Sequence, residues 1–320
     1  MIGPVKNRFA ICVCGLVCVL VSVSNAIAQS SGIQWKLNKG DEFAVVLMQN
    51  SISETTVDAR ETTVESATTI AMDWLVTEID SNGDATVEQS LASVKLSVTG
   101  FTRKRKGDTA APSLAISFDT AAPAGITNES KKLMNQIQPL LGLKFDVVMS
   151  PLGEIKKVTI PAGVTEQLNK MPDTQRLRNL FSKNGLKDIL GAAAIVLPED
   201  LTVGQTWTVD SPTSTALGTF VRKRTYTFVG NRTVDGKELA EFSLAVALDP
   251  SKEAQTKTAS SSLDSKLIEF IGSGTLLMDV ENGFFKNSKI ENRARSEKPY
   301  REKKIDTIVS NKIEMTVTKK

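Results

Sequence analysis

Ile70-Ala71-Met72-Asp73-Trp74-Leu75-Val76-Thr77-Glu78-Ile79-Asp80-Ser81-Asn82-Gly83-Asp84-Ala85-Thr86-Val87-Glu88-Gln89-Ser90-Leu91 is the stretch that decides the fold. Its first limb sets Ile70, Met72, Trp74 and Val76 on one face with Asp73 and Thr77 opposite, the two-residue period of a half-buried strand. Asn82-Gly83 then tolerates the positive φ that a tight hairpin needs. The return limb reads Val87, Gln89, Leu91 and then shifts parity to Val94, Leu96 and Val98. A parity shift inside an apolar run predicts a β-bulge near Ala92-Ser93, and with it a curved antiparallel sheet.

Upstream, Phe43, Val45 and Leu47 alternate in the same way. Downstream the period changes. Asn128 is expected to cap a helix starting at Glu129, with Leu133, Met134 and Ile137 on one face and Pro139 ending or kinking it. Residues 164–195 read as two or three helical pieces broken at Asn184-Gly185. Leu177, Leu180 and Phe181 recur at helical spacing, as do Leu186, Ile189, Leu190 and Ala193. Strands then resume at Trp207, over Phe220 to Val229, and at Phe242, Leu244, Val246 and Leu248, with Val234-Asp235-Gly236-Lys237 as a turn. A polar loop or linker, residues 250–265, separates these from strands over 275–280, 284–295 and 305–317, with Glu281-Asn282-Gly283 turning the chain.

The two strand-rich blocks align with each other. Gly40-Asp41-Glu42-Phe43 matches Gly204-Gln205-Thr206-Trp207, Trp74 to Leu96 matches Tyr226 to Leu248, and Gly142 to Val158 matches Gly274 to Ile290. Long-period self-similarity is a fold-level signal. The expected architecture is α+β: two similar, curved, half-barrel-like antiparallel sheets with a central helical insert. Residues 29–160 form an N-terminal β-rich repeat, 161–196 the insert, and 197–320 a C-terminal β-rich repeat.

Residues 1–28 read as a secretory signal peptide. Lys6 and Arg8 form a basic start without an acid, an apolar run from Phe9 to Val23 follows, and Ala26-Ile27-Ala28 offers small side chains at the exit. Cleavage is expected between Ala28 and Gln29. The alternatives are a retained anchor, for which the run is shorter than the roughly 18 to 20 residues that span a bilayer, and a lipoprotein signal. Cys12, Cys14 and Cys18 follow Ile11, Val13 and Val17, where lipidation needs a small residue. Processing would remove all three cysteines and lower the net charge from +3 to +1. The destination is the periplasm, the cell envelope or the medium. A nearly neutral balance argues against a nucleic-acid partner, and a chain this long buries about three quarters of its surface without disulfide staples.

Three short elements, Gly40 to Phe43, Leu141 to Ile155, and Leu197-Pro198 through Gly204 to Trp207, resemble those of uncharacterised exported bacterial proteins of the domain-of-unknown-function type. The resemblance implies most of residues 33–318 and brings no activity or functional residue. More remotely, a curved sheet with helices inside is similar to the half-barrels of periplasmic lipoprotein carriers, a likeness of fold alone.

The chain has no histidine. That excludes Ser-His-Asp and Cys-His catalysis and His-ligated metals. Loss of the cysteines excludes thiol nucleophiles and iron–sulfur clusters. No S-x-x-K, G-x-S-x-G, P-loop or G-x-G-x-x-G occurs, and no cofactor is expected. Asp80-Ser81-Asn82-Gly83-Asp84 lacks a glycine at the sixth position and the spacing to a bidentate glutamate of a calcium loop, and reads as a turn. Arg103, Lys104, Arg105 and Lys106 form a basic run, a solvated hairpin tip or a contact for an anionic surface, with Arg222-Lys223-Arg224 and Lys303-Lys304 as possible neighbours. The sparse aromatics fit two cores or the wall of a lipid-sized cavity, for which Trp74, Leu177, Leu180 and Phe181 are the candidate ligand face. The leading expectation is a non-enzymatic envelope protein binding a lipid or other amphiphile. The alternatives are a structural or protein-interaction module among envelope components, and a carboxylate-based glycan hydrolase.

Overall fold

The strand alternation read from the sequence carries through into long strands, and their pairing decides the architecture. The computed structural model describes residues 32–58, 60–103, 109, 111–123, 126–163, 165–166, 195–215, 217–250, 266–300 and 303–320. In chain order the strands are β1 (Glu42–Val57), β2 (Arg60–Ile79), β3 (Ala85–Arg103), β4 (Ala111–Asp119), β5 (Lys144–Met149), β6 (Ile155–Thr159), β7 (Thr206–Thr215), β8 (Gly218–Val234), β9 (Lys237–Pro250), β10 (Lys266–Asp279), β11 (Phe284–Tyr300) and β12 (Lys303–Lys319). Helix α1 (Asn128–Ile137) and a 3-10 turn (Gln138–Leu140) lie between β4 and β5.

All twelve strands belong to one antiparallel sheet in the order β6-β5-β3-β2-β1-β12-β11-β10-β9-β8-β7, with β4 added beside β3. The hairpin turns sit where the sequence placed them: Asp235 and Gly236 both take positive φ, 51° and 75°, as a two-residue turn of the primed type requires. The bulge also forms as expected. Ala71 pairs with Ser93 but Met72 with Leu91, so Ala92 is the extra residue.

The α+β expectation is overturned. The described chain is nearly all β, and the two expected sheets are one. β1 and β12 join the two strand blocks at the centre, from Phe43↔Lys319 to Val57↔Ile305. Alternation specifies that a segment is a strand but not its partner, so a pairing such as Thr55 with Thr307, 252 positions apart, leaves no local trace. Most of the expected insert, including Leu177, Leu180 and Phe181, lies outside the described residues. Helix α1 stands upstream of it. Its cap is Thr127, not Asn128: the Thr127 hydroxyl accepts from Ser130 N at 3.2 Å, and Ser130 Oγ in turn accepts from Ser117 N of β4 at 3.0 Å.

One face of the sheet, here the inner face, holds the core at one end. Phe43 and Val45 of β1, Met72 and Trp74 of β2, Phe242 of β9 and Met315 of β12 are buried there. Each such side chain contributes about 1.5–3 kcal/mol by leaving water. Two strand-free segments cross this packed end. Trp35 hydrogen-bonds through its backbone to Pro151 O at 2.8 Å and lies 5.4 Å from Phe285. Ile195, Leu197 and Leu201 are buried, and Leu197 N bonds Leu152 O at 2.8 Å. The aromatics form a linked set, Trp207 to Phe242 at 6.1 Å and Phe242 to Phe285 at 5.9 Å. One continuous core therefore replaces the two expected, because the seam brings both blocks onto the same face.

Candidate functional site

The strands run well past the core, and there the two faces differ in chemistry. In register, one inner row beyond the core reads Asn292, Asn311, Ser51, Ser66 and Val98 across β11, β12, β1, β2 and β3. The next reads Ala294, Val309, Ser53, Val64 and Gly100. These residues are half-buried, apart from the buried Gly100. Their polar groups partly satisfy each other: Asn311 Nδ2 donates to Asn292 Oδ1 at 2.9 Å, and the Thr55 and Thr307 hydroxyls lie 3.3 Å apart. The surface is uncharged and mixes serine and asparagine with valine, alanine and glycine.

The outer face is its opposite. Arg295 donates to Asp306 through Nη2 at 2.7 Å, Arg293 meets Glu269 at 3.4 Å, Lys312 meets Glu291 at 3.6 Å, and Lys223 meets Asp249 at 2.7 Å. Exposed pairs of this kind add little to stability, because water and salt screen them. Their larger effect is to fix which face meets water, since a one-residue slip would bring the charges inward. β1, β12, β11 and β10 also frame a shallow outer depression of about 510 Å³, lined by Ile52, Ile271, Asn50, Arg293 and Lys312. Ile52 and Ile271 are 45% and 59% exposed there.

The residues singled out from the sequence are scattered. Trp74 is buried in the packed half. Two voids of about 10 Å³ border Trp74 and Trp35, room for roughly one water and far below the few hundred Å³ of a ligand pocket. The indole N–H groups of both tryptophans are buried without a partner among the described residues. Arg103 ends β3 on the exposed rim opposite Glu61, while Lys104, Arg105 and Lys106 lie outside the described residues. Lys303 pairs with Asp58 on the same rim. The Asp80 loop is an Asx turn: its Oδ1 accepts from Asn82 N at 2.8 Å and Asp84 N at 2.9 Å. Those backbone donors, Asp84 first and then Asn82, hold the Asp80 carboxyl below the ordinary range. Asp84 itself receives Lys156 Nζ at 2.5 Å. Among the described residues no cluster of three acidic groups suits a metal ion, and no helix is long and apolar enough to cross a membrane.

Sequence reasoning grouped Arg222-Lys223-Arg224 as one basic patch. The strand divides it. Lys223 points outward to Asp249, whereas Arg222 and Arg224 take inner positions in line with Phe220, Tyr226 and Phe228. The shared parity with those aromatics was the signal available. The patch also stands apart from Arg103, with β9, β10, β11, β12, β1 and β2 between β8 and β3.

No protein-family model matches the chain, and no curated protein matches it. Among solved structures it is similar to lipovitellin, in a structure concerned with lipid–protein interactions, at TM-score 0.46 and 11% identity, over 88% of this chain. The chain spans 25% of lipovitellin's length. It is also similar to DynF from the dynemicin biosynthesis pathway of Micromonospora chersina, at TM-score 0.20 and 9% identity, over 89% of this chain and 83% of that one. A third similarity is to OccK7 (OpdD) of Pseudomonas aeruginosa, at TM-score 0.22 and 8% identity, over 87% and 99%. At such scores these likenesses carry no functional argument.

Proposed function

We propose that this chain is an exported, non-enzymatic envelope protein that binds an apolar or amphiphilic ligand on the inner face of its sheet, beyond the core. The observation that supports this reading is the segregation of charge. The outer face is laced with ion pairs, yet the inner rows beyond the core are uncharged from β11 to β3. An uncharged surface of small residues suits an alkyl or acyl chain, which gains from leaving water and asks for few hydrogen bonds. The glycan-hydrolase alternative needs two facing carboxylates, and the described inner positions between the strand ends hold none. The interaction-module alternative has one observation in its favour, the outer depression with exposed Ile52 and Ile271.

Protein recovered from the exporting host separates these readings. Native mass spectrometry is expected to find co-purifying lipid, and an environment-sensitive fatty-acid probe is expected to bind. Val309→Lys, on the inner face, should weaken the probe at least tenfold, while Ile271→Lys, on the outer face, should leave it unchanged. Absence of probe binding by the parent protein would remove the carrier reading and leave the interaction module. Sequencing of the same sample is expected to start at Gln29; an intact Met1 or a lipidated Cys18 would overturn the processing.

A further inference from the structure

Arg222 and Arg224 carry charge at inner positions well inside a strand. Other charged residues at inner positions, such as Arg60, Lys298, Lys303, Lys319 and Glu238, stand near strand ends, where side chains reach solvent. Arg222 and Arg224 sit within β8, four and six residues from its start. Both are half-buried. Arg224 has Val209 of β7 and Val246 of β9 beside it in register, and Arg222 and Tyr226 on either side along its own strand. No carboxylate stands among these neighbours, and the Arg224 side chain hydrogen-bonds the Tyr226 phenol. Arg222 donates from Nη2 to Thr213 Oγ1 at 2.6 Å, which fixes one guanidinium against a buried hydroxyl. Burial pushes the Tyr226 phenol above its ordinary range, so its hydroxyl keeps its proton at neutral pH.

A half-buried guanidinium that has only a neutral phenol for a partner among the described residues is completed by an anion. We propose that Arg224 receives the anionic end of the amphiphile, a carboxylate or a phosphate, while the apolar part lies across the uncharged rows. This rests on the inner-face reading above and names the ligand class. Guanidinium groups present paired N–H donors that match both anions. From β8 to β1 the sheet crosses five strand spacings, roughly 24 Å at about 4.8 Å each. That is room for an extended chain leading away from the arginines over β9 to β12.

The test compares ligands that differ only at the head. Calorimetric titration of the purified protein with decanoate is expected to give at least tenfold tighter binding than decanol, with a preference that shrinks as salt rises. Arg224→Gln should bring the two to parity without weakening decanol, and Arg224→Lys should keep part of the preference. Equal affinity of acid and alcohol for the parent protein overturns the anionic site while leaving the inner face as an apolar surface; this comparison needs no variant to fold. A preference that survives Arg224→Gln also overturns it. Failure of both ligands to bind overturns the site together with the reading on which it rests.

Discussion

Gly153, in the turn from β5 to β6, holds φ at +87°, and a Cβ there would stand 2.1 Å from the Ile195 carbonyl oxygen and 2.9 Å from Trp35 Nε1. The left-handed backbone costs a non-glycine residue about 1–2 kcal/mol, and forced overlap in a packed site typically adds about 1–3 kcal/mol. Gly153→Ala is therefore expected to lose about 2–5 kcal/mol of stability, read from the urea midpoint. Gly236→Ala, with nothing within 4 Å of its Cβ, should lose only the backbone part. A second residue-scale expectation concerns acid. Hydrogen bonds from the Arg295 guanidinium hold the Asp306 carboxyl below the ordinary range. A depressed folded value means that the pair's contribution is fully present above the ordinary aspartate range and is lost as pH falls through the lower folded value. The urea midpoint should drop on acidification below about pH 4, and Asp306→Asn should make that drop shallower while starting lower at neutral pH. The contact of Gly153 with Ile195 was not legible in the sequence, since a close approach between residues 42 positions apart (195 − 153) has no local pattern.

Among the elements, the long hairpins were legible and the edges were not. Alternation, Asn-Gly and Asp-Gly turns, and the parity shift at Ala92 follow from backbone geometry that each segment carries in itself. Strands read as 305–317 and 284–295 run longer, to Lys303–Lys319 and Phe284–Tyr300, because pairing extends them past the point where apolar alternation fades, through Ser296 to Tyr300, Lys303-Lys304 and Thr318-Lys319. The same fading conceals the inner surface beyond the core: small polar residues give no periodic signal, although their register unites them. At one end of the sheet, among the described strands, β7 pairs only with β8. It carries Pro212, which offers no N–H to an incoming strand, and Asp210, whose charge opposes stacking; both blunt an edge that would otherwise recruit another strand. Replacing them together, Asp210→Thr with Pro212→Val, is expected to shift the protein toward larger species in size-exclusion chromatography with attached light scattering. An unchanged elution profile would show that the edge is guarded by something other than these two side chains.

At the scale of the molecule, stability is expected to be indifferent to redox state. Cys12, Cys14 and Cys18 all precede Ala28, so a chain processed as proposed should melt at the same temperature by calorimetry with and without strong reductant. A shift would mean that the leader is retained. The core needs no such staple, because the sheet gathers both strand blocks onto one buried surface. The seam that does this also governs how the protein comes into being. A ribosome or a translocation pore delivers the chain from β1 onward, and β1 waits with one side unpaired until β12 arrives. Contacts between distant parts of a chain form slowly, and an exposed strand edge invites the wrong partner. The last seventeen-residue strand thus acts as the clasp: until it emerges, the two wings of the sheet have no common centre. For the exported protein proposed above, which would cross a membrane before folding, a centre that closes only when β12 arrives postpones the finished sheet until that strand is through.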